Sequence, residues 1–262
     1  MHQLGRFLFA IGLFALGTLS LIHRDFALVW QPVPPGVPAR EVLAIISGLI
    51  LVGGGIGLCF TRSQRMASLV LAVFVTSWLL LLQLPRVIGA PADVGVWLGF
   101  CENAILVSGG WILFSTQRNT TAGAKPGFSI GANGVRFFQI LYAIALPVIG
   151  CSHFAYAEFT ASMVPGWLPF HLGFAYLTGT GHMAAGLGIL LGVVPHLAAS
   201  LEAAMLSSFV LLLHAPGVAH EPTSRMQWTM LAVATAYSGA AWIIANSIRT
   251  APLFSFKGAG GR

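Results

Sequence analysis

Eight uninterrupted apolar runs constrain this chain more than anything else in its sequence. They lie at roughly 5–23, 41–60, 66–84, 94–115, 135–153, 172–193, 197–215 and 227–248. Each approaches the ~20 residues an α-helix needs to cross a ~30 Å hydrocarbon layer. No water reaches the backbone there, so only helices or closed barrels can span it. The runs are continuously apolar rather than alternating, which selects helices over strands. Composition agrees, since 8% of the residues are charged against about 25% in soluble domains. The expected fold class is an all-α membrane protein with eight transmembrane helices in a lipid bilayer.

The runs form two copies. At an offset of 130, Arg6-Phe7 matches Arg136-Phe137, His23 matches His153, and Pro35-Gly36 matches Pro165-Gly166. One inserted residue near Leu168 moves the offset to 131, where Pro38 matches Pro169, Gly48 matches Gly179, and Gly55 and Gly57 match Gly186 and Gly188. "LLLQLP", ending at Pro85, matches "LLLHAP", ending at Pro216, while Trp97 and Trp111 match Trp228 and Trp242. The units are 5–115 and 135–246, joined by a polar linker at 116–134. Four helices is an even number, so two tandem four-helix bundles in parallel orientation are expected. Arg6 ahead of the first run imitates a secretory signal, but no small-residue cleavage site follows, and the copy of that run lies mid-chain.

Net charge is +6, and its placement predicts orientation. Arg6, Arg62, Arg65, Arg118, Lys125, Arg136, Arg249, Lys257 and Arg262 fall on the side holding both termini; Arg24, Arg40, Arg86 and Arg225 fall on the other. Nine against four predicts cytoplasmic termini, and it discounts the glycosylation pattern at Asn119-Thr120-Thr121. No basic run interleaved with aromatics points to nucleic acid. Cys59, Cys101 and Cys151 are scattered and odd in number; they read as small buried packing residues rather than a disulfide or metal framework.

The first outer connection of each unit, "HRDFALVWQPVPPGVP" and "HFAYAEFTASMVPGWLP", mixes aromatics with a few polar groups and ends in a Pro-Gly cluster. Each reads as a short amphipathic segment on the membrane surface, with Trp30, Phe159 and Trp167 in the headgroup zone. The glycine pairs Gly53/Gly57 and Gly188/Gly192 read as close helix contacts, and Thr76-Ser77 and Ser207-Ser208 as interhelical hydrogen-bonding groups.

The order His153-Phe154, Met163-Val164-Pro165-Gly166-Trp167-Leu168-Pro169, Thr178-Gly179 and Ala185-Gly186-Leu187-Gly188 resembles the DoxX family of small four-helix bacterial membrane proteins. The second unit carries the resemblance, and the first follows through its repeat partner. What the family implies is a bacterial cytoplasmic (inner) membrane protein associated with redox complexes, one relative being a membrane subunit of a thiosulfate:quinone oxidoreductase. Many members carry a Glu in the second helix shortly after the Thr/Ser-Gly pair; that position holds His182 here and Leu51 in the first unit.

His182 falls about ten residues from either end of its run, roughly 15 Å from each surface. A polar group at that depth needs a partner or a wet cavity and marks a candidate ligand-binding or proton-relay site. Glu102 is expected at a similar depth, with Asn103 satisfying it and both sharing a cavity with His182. Glu202 is expected to snorkel toward the inner surface. Their counterparts are Leu51, Val233 and Leu71, so each embedded ionisable group occurs in one copy only. His153, His171 and His214 are further candidates on the outer side. No metal-ligand spacing occurs, and His182 lacks the mid-membrane mate a bis-His haem needs. The function expected is a redox-associated subunit handling a quinone-like or other apolar molecule, with quinone as cofactor and redox proteins as partners. The alternatives are a non-enzymatic lipid or small-molecule binding or transport module and a membrane scaffold.

Overall fold

A computed structural model describes residues 2–117 and 128–248. Arg118, Lys125, the Asn119-Thr120-Thr121 pattern, Arg249, Lys257 and Arg262 lie outside the described residues. Eight helices are long and apolar enough to cross a membrane: α1 (His2–His23), α2 (Arg40–Cys59), α3 (Gln64–Gly89), α4 (Val94–Thr116), α5 (Gly131–Ala155), α6 (His171–Leu191), α7 (Pro195–His220) and α8 (Arg225–Ser247). No strand occurs among the described residues. The chain is an integral, multi-pass, all-α membrane protein.

Local chemistry sets the boundaries. The Asp93 carboxylate caps α4 by accepting from the Gly95 and Val96 N–H groups at 2.7 and 3.3 Å, and the Ser224 hydroxyl caps α8 through the Gln227 N–H at 3.4 Å. Ala39 and Phe170, each next after a proline, take left-handed backbone angles (φ 53° and 58°) to launch α2 and α6. Helices α3 and α7 run on past the ends of their apolar runs. Each widens into one π-helical turn, Leu79–Gln83 and Val210–His214, just before Pro85 and Pro216. The looser turn accommodates a residue that has no N–H and whose ring clashes with the carbonyl four residues back, so the proline does not end the helix.

Each helix packs on its chain neighbour, and α8 packs on α1, so the eight form a closed ring. Helices α4 and α8 also cross each other inside the ring. They are the most enclosed spans, 72% and 78% buried against 22–44% for the others. Backbones approach closely where side chains vanish: a Cβ at Gly109 of α4 would stand 2.5 Å from the Cβ of Ala240 of α8. Gly5, Gly12 and Gly239 do the same for α1 against α8, each leaving no room for a Cβ.

The sequence duplication recurs as duplicated contacts. Trp111 donates to the Thr76 hydroxyl at 2.9 Å and Trp242 to the Ser207 hydroxyl at 3.0 Å. Trp97 and Trp228 donate to the carbonyls of Pro91 and Pro222 at 2.8 and 2.9 Å.

Three expectations about packing are corrected. Cys59 and Cys151 are exposed on the bundle surface and only Cys101 is buried, since a thiol is small and apolar enough to face lipid. Of the expected glycine contacts, Gly57 and Gly188 do let helices approach, a Cβ there standing 2.8 Å from Ala67 Cβ and 3.1 Å from Ala198 Cβ, but Gly53 meets nothing within 4 Å and Gly192 ends α6 in a left-handed cap (φ 72°). The two outer connections also differ. The second contains a short helix, Ala157–Ser162, with Phe159 and Trp167 68% and 70% exposed. The first has no helix; it folds inward around Gln31, which is 2% exposed and bonds the Ser47 hydroxyl at 2.9 Å and the Ala27 N–H at 3.0 Å.

Candidate functional site

Two side chains the sequence reading kept apart meet inside the second unit. His182 Nδ1 of α6 lies 2.8 Å from Glu202 Oε1 of α7, with side chains 2% and 0% exposed. The expectation that Glu202 snorkels to the surface is therefore wrong. It lies seven residues into α7, about 10 Å along the helix, too deep for a side chain this short to leave the bundle. The other carboxylate oxygen, Oε2, is buried with no protein partner, as is the hydroxyl of nearby Tyr142 on α5. The equivalent positions of the first unit, Leu51 and Leu71, are both fully buried. The same scaffold thus closes around leucines in one copy and around an acid–base pair in the other.

His153 of α5 extends the pair. Its ring contacts that of His182 edge-on, centroids 5.0 Å apart, and its Nδ1 lies 3.0 Å from the Thr178 hydroxyl. So His182 has a histidine neighbour after all. The rings touch, which leaves no room for a porphyrin between them. Phe209 covers another side of His182 at 6.1 Å. His171 and His214 are half-buried, at the start of α6 and at the π turn of α7. No hydrogen bond or ion pair draws either into this group.

Glu102 of α4 lies within electrostatic reach of His182. It is half-buried, and its Oε2 accepts from the Trp30 indole N–H at 3.0 Å. Trp30 is thereby corrected from a headgroup anchor to an inward-turned donor from the first outer connection. Its own carbonyl accepts from buried Gln83 at 3.4 Å. Gln83 occupies the position that matches His214 in the second unit. The Tyr237 hydroxyl of α8 stands beside Glu102 without reaching hydrogen-bond geometry. Asn103 does not satisfy Glu102 as expected. Consecutive helical residues point about 100° apart, and its amide donates to Gly99 at 3.0 Å while its Oδ1 stays buried and unpartnered. The expected cavity shared by His182 and Glu102 is not the groove that the structure opens. A groove of roughly 640 Å³ instead runs between α1 and α8, lined by neither residue.

Two polar groups result, Trp30 and Glu102 with Tyr237 beside them and His153, His182 and Glu202 with Tyr142 beside them, and each lies within electrostatic reach of the other. Three buried atoms here lack a partner, the Tyr237 and Tyr142 hydroxyls and Glu202 Oε2; all are oxygens, able to meet water or a hydrogen-bonding ligand. The His182–Glu202 pair can hold a proton and exchange it across its 2.8 Å contact. Among the described residues no three His, Cys, Asp or Glu side chains converge as metal ligands. Sequence reasoning misses Gln83 and Tyr237, because an aromatic or amide in an apolar run carries no sign of which way it points, and it places Trp30 at the headgroups because a loop tryptophan carries no such sign either. No family model, curated protein or solved structure matches the chain.

Proposed function

We propose that this chain is a DoxX-like, redox-associated subunit of the bacterial cytoplasmic membrane, with both termini in the cytoplasm, that engages a quinone-like molecule and exchanges protons with it. One observation carries the proposal: a fully enclosed His182–Glu202 pair occupies a place where the other copy is built from Leu51 and Leu71. Folding does not require an acid–base pair there, and an intramembrane ionisable pair marks function by default. Glu102 and Trp30, being half-buried, offer the accessible end, where a ligand carbonyl or hydroxyl can reach a carboxylate and an indole N–H. His182 and Glu202 stand behind it as proton donor and acceptor. Reduction of a quinone to a quinol takes up two electrons and two protons; the electrons would come from a redox partner protein and the protons through these groups.

The test is quinone titration of the purified protein in nanodiscs, followed by quenching of tryptophan fluorescence. Native protein should bind, and the double variant His182→Leu/Glu202→Leu should remain folded and bind at least tenfold more weakly. Equal binding by a folded double variant would dismiss the proton-exchange role. The second reading, a lipid-binding module without redox chemistry, is favoured by the groove between α1 and α8.

A further inference from the structure

The groove between α1 and α8 lies apart from the acid–base pair. Its walls are apolar, with Ile11 and Phe14 on α1 and Leu231 and Ala232 on α8. Ile11 and Phe14 are among the exposed residues of the bundle, so the groove opens toward the lipid. Water does not fill such a space, but hydrocarbon does. At one end the character changes, where His23, Thr223 and Arg225 form the mouth. This end lies where α1 finishes and α8 begins, at the level of the membrane surface.

The ion pairs around the mouth leave one guanidinium unmatched, and Glu221, one residue before the lining Pro222, forms no ion pair with it. Arg225 donates to Asp25 Oδ2 at 3.1 Å and to the Phe26 carbonyl at 2.7 Å, and Arg40 donates to the other oxygen of the same carboxylate. Two guanidinium groups thus share one carboxylate, and the neighbouring Arg24–Glu41 pair is balanced. The Arg225 Nε is buried without a partner. The first turn of α8 also begins here, and its leading N–H groups have no acceptor within the helix.

We propose that this groove binds an anionic phospholipid, with an acyl chain between α1 and α8 and the headgroup phosphate against Arg225 and the α8 N-terminus. Charge selects the occupant. A zwitterionic lipid offers the same chain and phosphate but no net charge to offset the surplus guanidinium. One uncompensated cation near the surface favours an anionic over a neutral headgroup by about fivefold.

The experiment is native mass spectrometry of the full chain released from nanodiscs containing equal phosphatidylglycerol and phosphatidylcholine. Native protein should retain one phosphatidylglycerol about five times as often as one phosphatidylcholine. Arg225→Gln should erase the preference. Because Arg225 also ties α8 to Asp25, Ala15→Phe serves as a second variant, filling the groove wall without touching the mouth; it should lower retention of both lipids. Equal retention of the two lipids by native protein would overturn the proposal, as would an unchanged preference in Arg225→Gln, undiminished retention in Ala15→Phe, or recovery of a neutral isoprenoid in place of phospholipid. None of these readouts depends on His182 or Glu202, so the quinone proposal stands or falls separately.

Discussion

Replacing His182 and Glu202 one at a time and then together gives three stabilities whose pattern depends on how the pair is held. The side chains are 2% and 0% exposed and joined at 2.8 Å. Removing one partner strands the other in a low-dielectric interior, a loss of about 3–5 kcal/mol for a buried ion pair. His182→Leu should approach that figure, because the Glu202 carboxylate then faces only Tyr142, and its Oε2 already lacks a partner. Glu202→Leu should cost less, about 1–3 kcal/mol, because it leaves one ring nitrogen without its hydrogen bond. The double leucine variant should lie near native stability or above it, since replacing both members of a buried pair by apolar groups is often neutral or stabilising by about 1–4 kcal/mol. The first unit already closes around Leu51 and Leu71 at the matching positions. The double-mutant cycle should therefore show a coupling of several kcal/mol. The assay is reversible denaturation in mixed micelles followed by tryptophan emission. If the double variant lost as much as the two singles summed, the pair would contribute no coupling and the comparison between copies would fail.

Three further outcomes are expected. Trp30→Phe keeps the ring but removes the donor to Glu102 and should lower stability by about 0.5–1.5 kcal/mol, the net range for one hydrogen bond; Glu102→Gln in the same background should show that the two changes are not additive. Burial alone would raise the pKa of Asp25, but the bonds from Arg225, the Phe26 N–H and Arg40 outweigh it and hold the carboxyl below its ordinary 3.8; its stabilisation is thus complete above that value and vanishes as pH falls through the lowered one, and melting curves of native protein and Asp25→Asn should converge at low pH. Reporter fusions after Gln117 and after Ile248 should both report the cytoplasm, and a periplasmic signal from either would refute the orientation.

The helices were legible because each is a continuous apolar run, and a run of that length leaves the backbone no other structure in lipid. Their ends were less legible. Pro85 and Pro216 look like stops, and only the π turns before them let α3 and α7 continue. The candidate site was half legible. Depth in a run marked His182 and Glu102 as unusual, but depth along a helix says nothing of azimuth. Glu202 is expected to snorkel because its apolar run begins only about five residues before it, but α7 starts earlier, at Pro195, and the direction the carboxylate faces, toward His182, depends on how α6 and α7 pack. Trp30 misled for a related reason. Its loop is turned inward by Gln31, whose bonds to Ser47 and Ala27 link residues of no recognisable spacing.

The contact between α1 and α8 has a consequence for biogenesis. Segments enter the membrane in order from the N-terminus, so the first helix meets its neighbour α2 early but its other flank waits for the last helix to emerge. Until then Gly5 and Gly12 face lipid on a surface shaped for another backbone, and Asp25 lacks the Arg225 that clamps it. Ring closure is the final assembly step. A chain released before α8 is inserted would expose a glycine-lined helix face of the kind that quality-control proteases and stray transmembrane helices recognise.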